Sequence, residues 1–394
     1  MTKKILFVSH DASHTGAPIV LLHLLNWIKI NTNIDFEILL LGGGGLTNSF
    51  EKLSKTYSFV NKKIFSKNII KRLFYRIYFK ALNKIYNCNY YESKVLKKVS
   101  KNNYDLIYFN TVASNYIIPK LKTTHTKIVS HVHELSWTIN ALHPKGMSKN
   151  ITSLVDLFIA PSIVTKENLS NYNIPNDRIK VFNEFISIQR TSVPLVKSSS
   201  IREELKFTDT EFIIGGSGFM HFRKGVDLFF QLSWLIQKKL PTADIKFLWV
   251  GNINSEILQW YFYETNIQHL KQNVFFSGIQ DVPQNYFQIF DVFVLTSRED
   301  PFPLVCLEAA CLGKPIICFD GAGGMTEFVD KGAGFKIPYH NIEEMSEKII
   351  ELYFNRDLVL QLGNISKNIV ADYDVNIIAP NIYNEINILL DSVI

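Results

Sequence analysis

Short apolar runs alternate with longer amphipathic segments along most of the chain. Residues 18–30, for example, repeat apolar positions at spacings of three and four, which predicts a helix. In the first half of the chain the apolar runs fall at 5–8, 36–41, 106–109, 128–131 and 157–160. Short runs that are wholly or mostly apolar indicate strands buried on both faces, as in parallel sheets. The alternation therefore predicts βαβ units and an α/β fold with doubly wound sheets.

A composition break at 189–200, which includes Pro194 and three consecutive serines, predicts a linker. The pattern then resumes, with candidate strands at 213–214, 245–250, 274–276, 292–295 and 316–319. We therefore expect a Rossmann-like domain at 1–190, a second at 191–372, and a final helix at 373–394 that crosses back to the first domain. Ligands of open parallel sheets bind beyond the carboxyl ends of the strands, so two such domains facing each other predict a site in a central cleft.

Bulk composition narrows the class of protein. The chain has 394 residues, of which 47% are hydrophobic and 20% charged, as in folded globular proteins. Its four cysteines form no CxxC pair, which favours reduced buried thiols over a disulfide framework or a zinc site. The first apolar run is too short for a signal peptide, and no run approaches the length of a membrane span. We expect a cytoplasmic protein.

One region is much more basic than the rest. Between Lys62 and Lys98 there are eleven Lys or Arg residues and a single acid, Glu92, a net charge of +10 within a total of +6. Large apolar residues are interleaved at helical spacing. This combination suits anionic lipid headgroups and peripheral binding to the inner face of the cytoplasmic membrane. The alternative is a solvated helical face over the core. Nucleic-acid binding also fits the charge, but no recognised nucleic-acid motif accompanies it.

The most informative stretch follows the apolar run at 292–295. It reads SREDPFPLVCLEAA from Ser297, and a helix is predicted to begin near Pro303. Asp300 lies before this helix and Glu308 within it, eight positions apart. A helix start offers unpaired backbone N–H groups and the positive end of the helix dipole, which favour an anion. The layout suits a ligand that carries both phosphate and hydroxyl groups, such as a nucleotide sugar.

Two adjacent cations, Arg223 and Lys224, follow the strand predicted at 213–214, with Gly218 and Gly225 on either side. Arginine can bind two phosphate oxygens with its fork of N–H groups and lysine acts as a point charge, so the pair suits a diphosphate. A solvated basic turn is the alternative. The glycine loop at 320–324 repeats the strand, loop, helix pattern, and a helix-dipole role is enough to explain Glu327 there.

The first half of the chain offers weaker candidates. Gly16 precedes a helix and leaves room for a phosphate or sugar near the backbone, although an ordinary βα turn is the better explanation of this motif taken alone. The four glycines at 42–45 suit either a substrate contact or a flexible connector. His131 and His133 end a strand and alternate onto the same face. An imidazole there could hydrogen-bond a substrate hydroxyl, or it could be a packed structural histidine.

Taken in order, these motifs resemble the retaining nucleotide-sugar glycosyltransferases of family four, which have the GT-B fold. The resemblance covers nearly the whole chain and rests on TGAP at 15–18, SHVHE at 130–134, VFNE at 181–184, RKGVD at 223–227, the stretch from Asp300 to Glu308, and GGMTE at 323–327. The GT-B fold, two Rossmann-like doubly wound domains that face a central cleft, is what this resemblance implies.

The family pattern also implies roles. Gly16 would approach the donor diphosphate or sugar, and His133 would hydrogen-bond the transferred sugar. Lys224 would neutralise the leaving diphosphate. Glu308 aligns with the last acid of the family's E-x7-E motif and would bind the ribose hydroxyls. The backbone N–H groups of Leu304 and Val305 would meet the diphosphate or the sugar.

Two departures from the family pattern concern the same site. The first acid of the motif falls on Asp300, and Gly218 and Phe219 stand where the family usually has an arginine. Arg223 is expected to take over the task of that arginine. Both features resemble a subgroup of bacterial surface-polysaccharide glycosyltransferases whose motif reads EDPFP, which implies an active enzyme with His133, Arg223, Lys224 and Asp300 in catalysis.

The resemblance implies transfer of a sugar from a nucleoside diphosphate to a glycan or lipid-linked acceptor, in lipopolysaccharide or capsule biosynthesis, with retention of configuration. The donor phosphate itself would take the acceptor proton, and no metal or other cofactor is expected, because the cations can replace the metal. A non-catalytic GT-B scaffold or glycan-binding protein is the main alternative. A nucleotide-sugar epimerase of GT-B type is a lesser one.

Overall fold

The computed structural model describes residues 3–65, 68–86, 89–142 and 147–392. The chain forms two compact units, one made of Met1–Phe182 with Ala379–Ile394 and the other of Asn183–Ile378. Cys306, Cys311 and Cys318 are free and buried, as predicted, and Cys88 lies outside the described residues. None of the helices in the described ranges combines the length and the apolar character needed to span a membrane.

The first unit contains a seven-stranded sheet in which every neighbouring pair is parallel, with the order β3-β2-β1-β4-β5-β6-β7. This is the doubly wound order, which reverses direction between β1 and β4. The strands are β1 Lys4–Ser9, β2 Asp35–Leu40, β3 Thr56–Ser58, β4 Leu106–Asn110, β5 Lys127–His131, β6 Leu157–Ala160 and β7 Ile179–Val181.

Helices of the first unit connect these strands and cover the sheet. Buried residues such as Val8, Phe109 and Ile128 form its core. The α-helices are α1 Gly16–Asn31, α2 Thr47–Leu53, α3 Ile69–Tyr86, α4 Tyr90–Val99, α5 Ile118–Leu121, α6 Ser136–Leu142, α7 Lys149–Thr152 and α8 Ile163–Ser170. Short 3₁₀ helices are found at Lys62–Phe65, Val112–Ile117 and Asn176–Arg178.

The second unit repeats this arrangement with a six-stranded parallel sheet in the order β10-β9-β8-β11-β12-β13. Its order reverses between β8 and β11, by the same doubly wound rule. The strands are β8 Phe212–Ser217, β9 Ile245–Val250, β10 Val274–Gly278, β11 Val292–Leu295, β12 Ile316–Phe319 and β13 Gly334–Ile337.

Helices also surround the second sheet, and aromatic residues such as Phe229, Phe247 and Trp249 dominate its core. The α-helices from here on are α9 Ile188–Thr191, α10 Ser198–Leu205, α11 Val226–Lys239, α12 Ser255–Ile267, α13 Gln284–Phe287, α14 Leu304–Cys311, α15 Thr326–Phe328, α16 Ile342–Phe354, α17 Arg356–Ile369 and α18 Val375–Asp391. Phe222–Lys224 and Val370–Tyr373 are 3₁₀ helices, and Val329–Ala333 is a π-helical turn. Helix α18 begins in the second unit, and its residues from Ala379 onwards belong to the first.

The predicted α/β class and the parallel sheets are confirmed. The central strands were located to within two residues at most of their ends, except β8, which is longer than the predicted pair of isoleucines. Three strands at sheet edges, β3, β7 and β13, were not predicted, because they are short and their apolar positions are interrupted. The predicted linker at 189–200 is wrong in part, since α9 and the start of α10 occupy both of its ends.

Candidate functional site

The reversal of strand order in the second unit places two loops side by side. One loop follows β8 and runs from Gly218 to Gly225, and the other follows β11 and runs from Thr296 to Pro303. Open parallel sheets bind ligands at this topological switch point, beyond the carboxyl ends of the strands. The predicted cations and carboxylates of the second unit therefore share one end of its sheet.

Lys224 and Asp300 form a short ion pair across these two loops. Lys224 Nζ donates to Asp300 Oδ2 at 2.6 Å, and Ser297 Oγ donates to the same oxygen at 3.2 Å. Burial raises the pKa of Asp300, but the charges of Lys224 and Arg223 and the hydrogen bonds outweigh it, and the pKa is lowered. Asp300 is therefore an anion that holds Lys224 in place.

Arg223 lies on the other side of Asp300. Its Nη1 is 4.0 Å from Asp300 Oδ1 and donates to the carbonyl oxygen of Glu299 at 2.7 Å. The three charged groups together carry one net positive charge at the switch point. The structure thus brings together Arg223, Lys224 and Asp300, as the sequence predicted. It also shows a contact of Asp300 with the cations that the sequence did not predict.

Two glycines allow the loops to approach this closely. Gly225 has a φ of 65°, and a Cβ there would lie 1.9 Å from the carbonyl oxygen of Thr296. Gly323 has a φ of 151°, and a Cβ there would lie 1.7 Å from the carbonyl oxygen of Asp300. The backbone of Asp300 donates to Ala322 O at 2.7 Å, so the glycine loop after β12 supports the residue that holds Lys224. Any side chain at either glycine would separate these loops.

Helix α14 begins at Leu304, with Pro303 at its N-cap, within one residue of the predicted start. The N–H groups of Leu304 and Val305 are in its first turn, where a helix has no internal acceptor for them. Glu308 follows in the next turn and is partly buried. Burial raises its pKa to about 7. No hydrogen bond or ion pair joins the carboxyl group of Glu308 to another residue within the described ranges, which marks it as a group suited to an external partner.

The glycine loop that precedes α15 is tied to the start of the second unit. Asn183 Nδ2 donates to Glu327 Oε2 at 3.1 Å. Glu327 lies in the first turn of α15, as predicted. A hydrogen bond therefore joins the VFNE and GGMTE motifs, and the sequence did not predict this contact.

The first unit has its own switch point, between β1 and β4. Asn110 ends β4, and its Nδ2 donates to the carbonyl oxygen of Ala17, next to Gly16 in the first turn of α1. This leaves Asn110 Oδ1 facing His133 Nε2 at 2.9 Å. Because an amide oxygen only accepts hydrogen bonds, His133 carries its proton on Nε2. Asn110 thus links His133 to Ala17, the residue that follows Gly16, and both Gly16 and His133 were predicted from the sequence.

Two further histidines lie near His133. The ring of His131 is 4.0 Å from that of His133, as strand alternation predicted, and its Nδ1 lies 2.6 Å from Tyr108 Oη. Burial, followed by the charge of His133, lowers the pKa of His131 well below its ordinary value. The pKa of His10 is also lowered, by burial first, with Asp11 opposing and His133 adding. His131 is therefore a neutral packed residue, whereas His133 is only partly buried.

Glu134 braces the loops around His133. Its Oε2 accepts from the backbone N–H of His133 at 2.8 Å and from that of Val112 at 3.2 Å. Thr111, which lies between Asn110 and Val112, has a φ of 80°, in a region that β-branched residues rarely adopt. Polar residues directly after the apolar run of β4 were the signal that could have identified Asn110 and Thr111.

The glycines at 42–45 are not a free connector. The backbone N–H of Leu46 donates to the carbonyl oxygen of Ala12 at 2.8 Å, and this hydrogen bond holds the glycine loop against the loop after β1.

Comparisons with known proteins give the class. The chain resembles the crystal structure of HepE from Anabaena in complex with UDP and glucose, with a TM-score of 0.80 at 19% identity over 98% of this chain and 99% of that one. At that identity the likeness shows the fold, and the fold is GT-B. Residues 197–369 match the family described as glycosyl transferases group 1, and residues 63–190 match glycosyltransferase family 4.

The chain is thus a GT-B protein of the glycosyltransferase family 4 and group 1 type. It is 25% identical over 346 residues to the poly(ribitol-phosphate) alpha-N-acetylglucosaminyltransferase of Staphylococcus aureus (strain COL). The matched region covers 85% of this chain and 62% of that protein. It is 24% identical to the alpha-galactosylglucosyldiacylglycerol synthase of Streptococcus pneumoniae (strain ATCC BAA-255 / R6), over 68% of this chain and 73% of that protein. By their names, the first relative transfers N-acetylglucosamine to poly(ribitol phosphate) and the second makes a glycosylated diacylglycerol.

Proposed function

We propose that the protein transfers a sugar, with retention of configuration, from a nucleoside diphosphate sugar to a glycan or lipid-linked acceptor in surface-polysaccharide assembly. The observation that carries the proposal is the pair Arg223 and Lys224, fixed at the switch point of the second unit beside the start of α14. A diphosphate leaving group develops negative charge in the transition state, and preorganised cations and N–H groups stabilise such charge. With these cations in place, the proposal requires no metal.

Glu308 completes the donor site in this proposal. A ribose offers two neighbouring hydroxyl groups, and a carboxylate accepts a hydrogen bond from each. The other described carboxylate of the motif, Asp300, already bonds to Lys224 and Ser297. Glu308 is therefore the better candidate for the ribose, and Asp300 for orienting the cations.

In the first unit, the imidazole of His133 would position the transferred sugar. Its Nε2–H already donates to Asn110, so we propose that it orients the sugar and does not serve as an obligatory base. The donor phosphate would take the acceptor proton. Retention is supported by the names of both relatives, which describe alpha-linked products. An alpha-configured product from an alpha-configured donor, measured by NMR, would establish it.

A thermal-shift screen tests the donor. The screen uses UDP-, GDP-, ADP-, CDP- and dTDP-sugars. Only the cognate donor should raise the unfolding temperature. At a donor concentration of 100 times Kd, binding adds about 2.7 kcal/mol to the free energy of unfolding. Release of the nucleoside diphosphate from that donor should then be detectable. A non-catalytic scaffold would show the shift without the release, and the absence of any shift would contradict a nucleotide-sugar donor.

We further propose that α3 binds an anionic membrane surface. The helix contains five Lys or Arg residues and no acid. Tyr75, Phe79 and Leu82 form its half-buried side. The opposite side exposes large apolar residues, among them Ile70 at 80% and Ile77 at 62%. A solvated helical face would be polar, whereas an exposed apolar stripe bordered by cations fits the interface of a bilayer that contains anionic lipid.

Flotation with vesicles tests this surface. The protein should float with phosphatidylcholine vesicles that contain phosphatidylglycerol and remain unbound with phosphatidylcholine alone, and high salt should weaken binding. The double variant Leu73→Glu/Ile77→Glu should lose most of the binding. Leu360→Glu, at an equally exposed leucine of α17, is the matched control and should bind normally. Salt-insensitive binding, or equal losses in both variants, would contradict the membrane surface.

A further inference from the structure

A fourth charged residue, Arg298, joins the two loops that carry Arg223, Lys224 and Asp300. Its backbone N–H donates to the carbonyl oxygen of Arg223 at 2.8 Å, and its Nη1 donates to that of Phe222 at 2.7 Å. Nearby, Thr296 Oγ1 donates to the carbonyl oxygen of Lys224 at 3.3 Å. The loop after β11 therefore bonds to three consecutive carbonyl groups of the turn that presents Arg223 and Lys224.

Arg298 is itself held by several neighbouring residues. Its Nη1 and Nη2 donate to Asp227 Oδ1 and Oδ2 at 2.8 and 2.7 Å, a bidentate pair. Asp227 lies in the first turn of α11, where the helix dipole also favours its charge. The guanidinium carbon lies 3.7 Å from the centroid of the Phe222 ring, and Tyr339 Oη donates to the carbonyl oxygen of Arg298.

These contacts give Arg298 a geometry that lysine cannot reproduce. A guanidinium group can bind a carboxylate with two N–H groups while a third contact reaches a carbonyl oxygen and the flat face stacks on a ring, whereas an ammonium group is a point charge. These contacts bear on the position of the turn at 222–224, which lies between β8 and α11. Small displacements of groups that contact a transition state reduce rates strongly, about a hundredfold for 1 Å.

We propose that Arg298, together with Asp227, is a positioning residue that holds the Arg223–Lys224 turn where it meets a diphosphate. Arg298 does not touch the donor; it acts through the backbone of the cations. This role rests on the proposed function, since it assumes that the turn binds a nucleoside diphosphate. Neither the family motifs nor the sequence assigned a role to Arg298.

The experiment compares nucleoside with nucleoside diphosphate. Affinities of the wild type for uridine, guanosine, adenosine, cytidine and thymidine, and for their 5′-diphosphates, are measured by calorimetry. The ratio of the two affinities for the preferred base measures the contribution of the diphosphate contacts. Arg298→Ala and Arg298→Lys should leave nucleoside affinity within about twofold and lower diphosphate affinity by about tenfold or more, and kcat should fall more than KM rises.

Arg356→Ala is the matched control. Arg356 stacks over Phe212 at 4.2 Å and pairs with Asp291 at 3.4 Å, the same kinds of contact in the same unit, but at the first residue of β8 and not beyond its end. It should lower the unfolding temperature and leave the affinity ratio unchanged. Asp227→Asn should reproduce the loss seen in Arg298→Ala, and the double variant should be no worse than either single one.

Three outcomes would overturn the assignment. An unchanged affinity ratio in Arg298→Ala would show that the turn keeps its position without the arginine. An equal loss in Arg356→Ala would show that general destabilisation explains the effect. If the wild type binds no diphosphate more tightly than its nucleoside, the proposed function fails and the positioning role fails with it, whereas the first two outcomes leave the proposed function intact.

Discussion

Replacement of Lys224 by alanine is expected to lower the rate of donor turnover by about a hundredfold to a thousandfold, the range found when one preorganised group that stabilises transition-state charge is removed. The lysine is held 2.6 Å from Asp300 and forms the net positive charge of the switch point together with Arg223. The measurement is the release of nucleoside diphosphate from the cognate donor, with and without acceptor.

Loss of stability must be separated from loss of chemistry in this variant. Lys224→Ala leaves the buried Asp300 without its closer ion-pair partner and with only Arg223, at 4.0 Å. Breaking a fully buried pair costs about 3–5 kcal/mol. The double variant Lys224→Met/Asp300→Asn removes both charges and should recover most of the stability while turnover stays low. Lys246→Ala is the matched control, because Lys246 pairs with Glu211 at 3.1 Å and the two side chains are only 11% and 7% exposed. Its turnover should match that of the wild type, and wild-type turnover in Lys224→Ala would refute the assignment.

Replacement of Glu308 by glutamine is expected to stabilise the protein and to weaken donor binding. Burial raises the pKa of Glu308 from an ordinary value of 4.5 to about 7. The folded state therefore binds more protons than the unfolded state between these values, and stability falls as the pH rises from 4.5 through 7. Below pH 4.5 both states are protonated and the penalty is absent; above pH 7 it is fully present.

The expected gain in Glu308→Gln is on the order of 1–3 kcal/mol above pH 7, since one pKa unit corresponds to about 1.4 kcal/mol and Glu308 is only partly buried. Thermal unfolding at pH 5 and pH 8 measures it: the difference between variant and wild type should be small at pH 5 and amount to several degrees at pH 8. Affinity for the nucleoside, measured at pH 8, should fall by about tenfold or more, since buried hydroxyl groups would lose their charged acceptor.

Asp291→Asn provides a comparison for the glutamine variant. The pKa of Asp291 is also raised, by burial first, but its carboxylate accepts from the backbone N–H of Ile213 and pairs with Arg356. Removing that charge should destabilise the unit, because its partners lose their acceptor. If Glu308→Gln likewise lost stability at pH 8, or kept nucleoside affinity, Glu308 would be a structural residue and the ribose assignment would be wrong.

The order of the elements could be predicted from the sequence because local patterns determine it. Runs such as 157–160 and 292–295 are apolar at every position, and only a strand covered on both faces uses that pattern. The start of α14 was predicted within one residue, because Pro303 cannot continue a preceding hydrogen-bond ladder but suits a helix start. Edge strands such as β3 and β13 were missed, since polar residues or glycine interrupt their apolar positions.

The site divides in the same way. The sequence identified Arg223, Lys224, Asp300 and Glu308 as charged groups beyond the ends of predicted strands, which a doubly wound sheet must bring to one edge. It did not reveal that the carboxylate of Asp300 pairs with Lys224, or that the carboxyl group of Glu308 has no such partner in the described part of the chain. Both carboxylates look alike in the sequence, and only their different surroundings give them opposite pKa shifts.

The sequence by itself determined the class of fold, the two parallel sheets and the loops that carry the chemistry, because strand patterns and helix starts depend on neighbouring residues. The tertiary structure decided which charged groups pair. Arg298 and Asp227 are 71 positions apart, and Lys224 and Asp300 are 76 apart. Their contacts depend on strand order and on the close approach of the loops at Gly225 and Gly323 to the loop after β11, and no local pattern in the chain encodes those distances.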